Sequence, residues 1–426
     1  MQTDSLARTA IRSLADMTGF LLLVLALSAL ATAQKESTIY SFKAGRDGAT
    51  PEGGLISDTS GNLYGTTAQG GGSVNCGANG RKPLGCGTVF ELSPQAGGHW
   101  TETILYAFQG GTADGIAPAD KLVFDASGNL YGATLSGGAQ NLGTIFELSP
   151  PAQKGGTWTE TVLHSFGLDS GPRGLAFDAQ GNLFGEANGD NTDGEIFEMS
   201  PPAVHGQPWS FNILYEFTGP NGSVPLGGFA LDAGQNLYGA TSLGGVDACG
   251  VVFELVRPSS PGGVWSESLL YQFTCGNGDG DQPSGGVIFH NGNLYGSTAY
   301  GGNGLGDGTV FELSPASGGA WTETTLYQFD RSNSGAFRPE SGVVFDHQGN
   351  LYGTTNFSGD HGVAYKLAPP GVQGQPWTAT TLHDFLCGND GCAPLSGLIF
   401  DKGNVLYGTA GMGGIGKAGV VFGIIP

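Results

Sequence analysis

A motif of the form Gly-Asn-Leu-Tyr-Gly recurs along this chain. Its aromatic residue stands at Tyr64, Tyr131, Phe184, Tyr238, Tyr295, Tyr352 and Tyr407, in steps of 53 to 67 residues. A period of this length marks a solenoid or propeller and constrains the fold more than any single residue does. Each period holds four short apolar runs. In the second period they are Leu122-Val123-Phe124, Leu130–Thr134, Thr144–Leu148 and Trp158–Phe166. The first and second are separated by Asp125-Ala-Ser-Gly-Asn129, a hairpin signal. The third ends at Ser149-Pro150, where proline stops a strand. The fourth alternates apolar and polar residues at period two. Four antiparallel strands repeated about every 55 residues describe a propeller blade.

Composition agrees. Glycine supplies 78 of 426 residues, or about 18 percent against an average of roughly 7 percent. Glycine costs about 1 kcal/mol per helix position relative to alanine, which disfavours long helices. There is no Gly-X-Y period, and aromatic residues make up 10% of the chain, so neither collagen nor a disordered tract fits. The expected fold is all-β, a seven-bladed β-propeller with four antiparallel strands per blade. The fourth run follows the third only six times, and the chain stops at the third run of the seventh copy, Val420-Val421-Phe422. The missing strand is at the other end: Gln34–Phe42 aligns with Trp100–Phe108. The N-terminal strand, residues 34–42, is expected to close the last blade.

Arg8 and Arg12, the apolar run Phe20–Leu30 and Ala31-Thr32-Ala33 read as a signal peptide over residues 1–33. The propeller then occupies 34–426. The run is too short to span a bilayer, so membrane insertion is not expected after cleavage. Export places the protein in the periplasm, at the cell surface or in the medium. The net charge of -21 argues against nucleic acid and anionic membrane surfaces as partners. The protein is expected to be a monomer.

Strand directions alternate, so the fourth-to-first links and second-to-third loops emerge at one end of the ring. These segments differ most between blades, and variable loops on a rigid scaffold are where function concentrates. All six cysteines fall there. Their positions predict disulfides Cys76–Cys86, Cys249–Cys275 and Cys387–Cys392, in keeping with an oxidising compartment. The spacing lacks a zinc cluster, so no metal site is expected at the cysteines. Six links carry Asp or Asn a short step before Pro: Asp47, Asp114, Asp169, Asn221, Asp279 and Asp390. In a propeller these are expected to ring the channel mouth, where they either bind Ca2+ or a sugar through oxygen ligands, or repeat an Asx–Pro turn.

No catalytic residue is nominated. The repeated Glu91, Glu147, Glu198, Glu254 and Glu312 are equivalent in five blades, whereas glycosidic chemistry needs two carboxylates in one site. They are expected to bond the fourth-strand Thr or the backbone. Asp360-His361 is a lone acid–His pair in a loop. The six tryptophans open the fourth runs and are expected to pack between blades rather than to stack on sugars. Gly-Asn-Leu-Tyr-Gly-Thr-Thr, a Gly-Gly loop and Gly-Thr-Val-Phe-Glu-Leu-Ser-Pro resemble the bacterial Gloeo/Verruco tandem repeat, GloVer, over nearly all of the mature chain. That resemblance implies an exported protein and no established enzymatic activity. Members often carry a C-terminal sorting anchor, which Gly423-Ile-Ile-Pro426 does not match. The strand pattern is also similar to NHL-type propellers. The expected function is therefore an exported binding or scaffolding protein, with a glycan, peptide or partner protein at the loop-rich face and no required cofactor. The alternative is a polysaccharide lyase or hydrolase at the channel mouth. Asymmetry separates the two, because an enzyme needs unique convergent residues in one part of the channel.

Overall fold

The computed structural model describes residues 35–76, 84–153, 155–167, 170–188, 193–204, 206–260, 262–276, 278–302, 304, 306–332, 336–358, 361–372 and 374–426. The expected leader at 1–33 lies outside them, as do Gln34, Asp169 and Asp360. Among the described residues there is no α-helix, and seven antiparallel sheets follow one another around a ring. The second blade shows the plan. Val123–Phe124, Leu130–Thr134, Thr144–Ser149 and Thr159–Ser165 pair in chain order. The hairpins form where the Asp-X-X-Gly-Asn turns stand. Asp125 Oδ1 accepts from the N–H groups of Ser127 and Asn129 at 2.8 and 2.9 Å, and its Oδ2 from the Tyr131 hydroxyl at 3.3 Å. The short Asx residue thus fixes the turn and the facing aromatic together.

The seventh blade is assembled from both ends of the chain. Lys35–Ser41 pairs with Val420–Ile425, from Lys35 opposite Ile425 to Ser41 opposite Val420. The N-terminal strand therefore closes the ring as expected, beginning at Lys35 among the described residues.

The core lies between blades. A phenylalanine at the end of each fourth strand meets the third-strand aromatic of the next blade edge to face. Phe42 stands 5.1 Å from Phe90, Phe108 5.1 Å from Phe146, and Phe385 4.9 Å from Phe422. Phe329 meets Tyr365 in the same way at 5.1 Å. The tryptophans pack between blades too: Trp100 lies against Tyr407 and Trp209 against Tyr131, each at 5.7 Å. This third-strand aromatic also explains the glycine of the motif. A Cβ at Gly239 would stand 2.6 Å from Phe253 Cζ, inside contact distance. The ring lies across its own sheet where a side chain would be, so only glycine fits opposite it on the second strand. Gly239→Ala is expected to overpack this site and lower the unfolding free energy by about 1–3 kcal/mol, measured by urea denaturation.

Candidate functional site

The three disulfides join Cys76 to Cys86, Cys249 to Cys275 and Cys387 to Cys392, with Cα atoms 5.1, 5.6 and 4.6 Å apart. Each brace lies within one blade or link, at the loop-rich end. Exposed apolar side chains share that end: Val74 and Leu84 beside the first disulfide, Leu386, Met412 and Ile415 around the third.

Local hydrogen bonds hold the five described link Asp and Asn residues. Each belongs to a link that leaves the outermost strand, and its side chain folds back on the end of that strand. Asp47 accepts from Lys43 N at 2.9 Å, the Tyr40 hydroxyl at 3.2 Å and Gly48 N at 3.0 Å. Asp114 does the same with Gln109 N, the Tyr106 hydroxyl and Gly115 N. Asp279 accepts from Thr274 and Gly280, Asn221 from Thr218 N, and Asp390 from Leu386 N and Gly388 N. These are Asx turns whose oxygens face their own backbone. None of the five described residues lines the central cavity, and Asp169 lies outside the described residues. Across the seams, a fourth-strand acid of the next blade stands against several of them. Burial together with Asp47 pushes Glu102 up to about 7 against the pull of Lys43, and burial with Asp114 does the same for Glu160.

The third-strand glutamates bond closer to home than expected. Glu91 accepts from the Ser93 hydroxyl at 2.7 Å, Glu147 from Ser149 at 2.9 Å, and Glu254 from the Tyr238 hydroxyl at 2.7 Å. Residues i and i+2 share a sheet face, which puts the serine rather than the fourth-strand threonine within reach.

The channel itself holds a cavity of about 630 Å³, lined by residues from all seven blades. Most of the lining follows the link proline: Glu52, Asp120 and Lys121, Arg173, Leu226, Ser284, Glu340 and Leu395. Each such proline packs on a glycine before the third strand of the preceding blade. A Cβ at Gly143 would stand 2.7 Å from Pro172 Cδ, and one at Gly308 2.6 Å from Pro339 Cδ. The proline thereby sets where the chain turns into the channel. The first residue after it varies from blade to blade.

One sector is strongly asymmetric. The slot after the motif glycine holds a small residue in six blades (Thr66, Ala133, Ala240, Ser297, Thr354, Thr409) and a glutamate in the third, Glu186. Elsewhere the slot hydroxyl donates to the next blade, as Thr66 does to the Asp120 carbonyl at 3.1 Å and Ser297 to the Ser341 carbonyl at 2.8 Å. Glu186 reverses the polarity, accepting from Gly228 N at 3.3 Å. It is 1% exposed and stands behind Gly174, where a Cβ would lie 2.7 Å from its carboxyl carbon. Burial pushes Glu186 up to about 7, with Asp120 adding to the shift and Arg173 and the Gly227 and Gly228 N–H groups opposing it. A charged residue in a slot otherwise small was visible in the aligned repeats, and that alignment is the signal that points to it.

The other charged groups of the cavity divide by partner. Asp120 accepts from Lys121 N at 2.7 Å and from Gly174 N. Arg338 pairs with Glu340 at 2.6 Å and lies 4.9 Å from the Tyr300 ring centre. Arg173 faces Glu186 across the strand pair but turns its Nε to the Gly171 carbonyl at 3.3 Å. Among the described residues, no carboxylate is within ion-pair distance of Lys121 Nζ or of the Arg173 guanidinium. Burial pushes the Lys121 ammonium down, against the pull of Asp120.

A seven-bladed propeller with a central cavity of mixed polar and apolar lining at its loop-rich end is the class these features define. The chain belongs to the Gloeobacter/Verrucomicrobia repeat family, whose sequence profile matches residues 26–253 and again 186–422. No curated protein matches it. Among solved structures it is similar to a luciferin-regenerating enzyme, at 10% identity over 92% of this chain and 95% of that one, with a TM-score of 0.45. PhoX from Pseudomonas fluorescens matches at 10% identity over 92% and 95%, with a TM-score of 0.45. The Aleuria aurantia lectin matches at 14% identity over 81% and 96%, with a TM-score of 0.38. None of these likenesses speaks to activity.

Proposed function

We propose that this protein is an exported binding propeller whose ligand, a glycan or glycan fragment, seats in the cavity at the loop-rich end of the channel. The observation that carries this reading is the cavity itself. Its volume of about 630 Å³ falls within the roughly 300–1,000 Å³ of small-molecule sites. Its charged groups come from non-equivalent residues of several blades, whereas the repeated acids are spent on turns. Three disulfides, each within one blade or link, support export to an oxidising compartment and stiffen the loops around the mouth.

The second reading, a polysaccharide lyase or hydrolase, draws on Glu186. A carboxyl poised near 7 beside Asp120 suits general acid–base work. Its burial disfavours that role: at 1% exposure, with Gly174 packed against the carboxyl, it offers a substrate atom almost no surface. The test is a glycan array read with the wild type, with Ala119→Trp, which fills the cavity, and with Val372→Arg on an exposed turn at the opposite end. Binding is expected to weaken at least about tenfold in Ala119→Trp and to stay unchanged in Val372→Arg. Binding that survives Ala119→Trp would move the ligand elsewhere. A strict need for Ca2+ would shift attention to rim carboxylates such as Asp279 and Glu323. Turnover of a polysaccharide that disappears in Glu186→Gln would establish the enzymatic reading.

A further inference from the structure

We infer that the ligand of this cavity carries an anionic group, a carboxylate or phosphate on a sugar, and that Lys121 and Arg173 hold it. The inference rests on the cavity being the binding site. The chain has 16 Lys and Arg residues against 37 Asp and Glu. Three of those scarce cations, Lys121, Arg173 and Arg338, nonetheless line one cavity. Arg338 is neutralised by Glu340 at 2.6 Å. Lys121 and Arg173 have no such partner, and they come from neighbouring blades, so they flank a single seam.

The acids of the cavity do not offset them. Asp120 gives one oxygen to Lys121 N and the other to Gly174 N. Glu340 is bonded by Arg338 and by Asn356 Nδ2 at 2.9 Å. Glu186 is held under Gly174 by the Gly228 N–H. Glu52 is pushed toward its neutral form by burial. Asp120, Glu186 and Glu340 are thus satisfied from within the protein, while Lys121 and Arg173 line the cavity with no carboxylate within ion-pair distance among the described residues. A cation in a concave wall gains most from a ligand that brings the opposite charge, through short charge-assisted hydrogen bonds. Arginine adds a planar fork suited to carboxylate or phosphate. A divalent cation is the poorer fit, because it would have to displace backbone N–H groups from Asp120 and sit beside two positive side chains.

Titration calorimetry with glucuronate, glucose 6-phosphate and glucose tests this on the mature protein. At least one anionic sugar is expected to bind about tenfold or more tighter than glucose, since one charged hydrogen bond contributes roughly 1.5–3 kcal/mol. Which of the two binds tighter separates carboxylate from phosphate. Lys121→Gln and Arg173→Gln are each expected to weaken the anionic sugar about tenfold and to leave glucose within about twofold. Both side chains are partly or fully accessible, and unchanged thermal melting confirms that the variants fold. Lys121→Arg is expected to retain most of the affinity. Equal binding of charged and neutral sugars, or no response to either substitution, overturns the anionic inference while the cavity reading stands. Failure of all three sugars to bind overturns it as well. If the glycan array is also blank, the binding reading falls with it.

Discussion

Phe42→Ala is expected to lower the unfolding free energy by about 3–5 kcal/mol, the cost of emptying a fully buried phenylalanine site. Phe42 is 0% exposed and sits 5.1 Å from both Tyr40 and Phe90. Its N–H donates to the Gly419 carbonyl at 3.0 Å. Equivalent residues such as Phe217 fill the same seam between other blades. They differ in one respect: their strands are tied to the rest of their blade through a short turn. The strand Lys35–Ser41 is held to its sheet by pairing with Val420–Ile425 and by the side chains it buries. Loosening Phe42 therefore loosens the closure of the ring as well as one seam. Urea denaturation of Phe42→Ala and Phe217→Ala is expected to show losses of similar order. Limited proteolysis is expected to cut only Phe42→Ala early, near Lys43 and Arg46. Val204→Ala, on an exposed turn, is expected to stay within about 0.5 kcal/mol of wild type. A loss under 1 kcal/mol for Phe42→Ala, with no new cleavage, would contradict a closing strand that carries the ring.

The fold was legible because propeller packing repeats the same demand at every blade. Gly239 is small because Phe253 lies over it, and six other glycines stand under six equivalent aromatics. Asp125 and its equivalents recur because each hairpin needs the same backbone capped. The disulfides were legible for a related reason: once loops and strands are placed, few cysteines lie within reach of one another. The cavity was not. Repetition drew attention to Asp47, Asp114, Asp279 and their counterparts, and repetition is what a local turn produces. Their carboxylates answer backbone N–H groups a few residues away. The first residue past each link proline varies from blade to blade, while the next two are mostly Gly or Ser, a run that Asp120 and Lys121 break. Glu186 departs from the repeat and is legible there, whereas its neighbourhood with Lys121 and Arg173 appears only once the ring places non-equivalent positions side by side. In a repeat protein, departure from the repeat is the better guide to a site.

Stability is expected to fall as pH rises from about 4.5 to about 7.5 and to level off above that. Burial pushes Glu102, Glu160, Glu186 and Glu323 up to about 7, with Asp47, Asp114, Asp120 and Asp279 respectively adding to the shift. In Glu323 the Thr325 hydroxyl works against it. Burial moves Glu36, Glu52 and Glu267 the same way. Between pH 4.5 and 7 the folded protein keeps protons that the unfolded chain has released. Raising the pH through that window therefore favours unfolding, and above it both states are ionised. Glu186 is 1% exposed, so its shift to about 7 converts to about 3 kcal/mol. The other groups are partly exposed, and solvent screening reduces their share. Self-repulsion at a net charge of -21 acts in the same direction. Four groups work oppositely: burial lowers His164 and Lys121, whose contributions grow as pH rises toward their unfolded values, and two aspartates are lowered as well. In Asp178 and Asp346 burial alone would raise the pKa, but hydrogen bonds outweigh it and lower both, from Asn182 and Arg257 to the first and from Asn350 and Tyr352 to the second. Their stabilisation is lost only on acidification below about 4, which places the optimum near pH 4–5. Urea denaturation at pH 5, 6, 7 and 8 reads the slope directly. Glu186→Gln keeps the shape and the acceptor for the Gly228 N–H while removing the titration. It is expected to match wild type at pH 5, to exceed it by about 3 kcal/mol at pH 8, and to flatten the curve between. Wild-type stability that rises from pH 5 to pH 8 would show that these carboxyls ionise freely in the folded ring. The Glu186 carboxyl would then have to reach water or a cation that the packing of Gly174 and Gly228 around it does not provide.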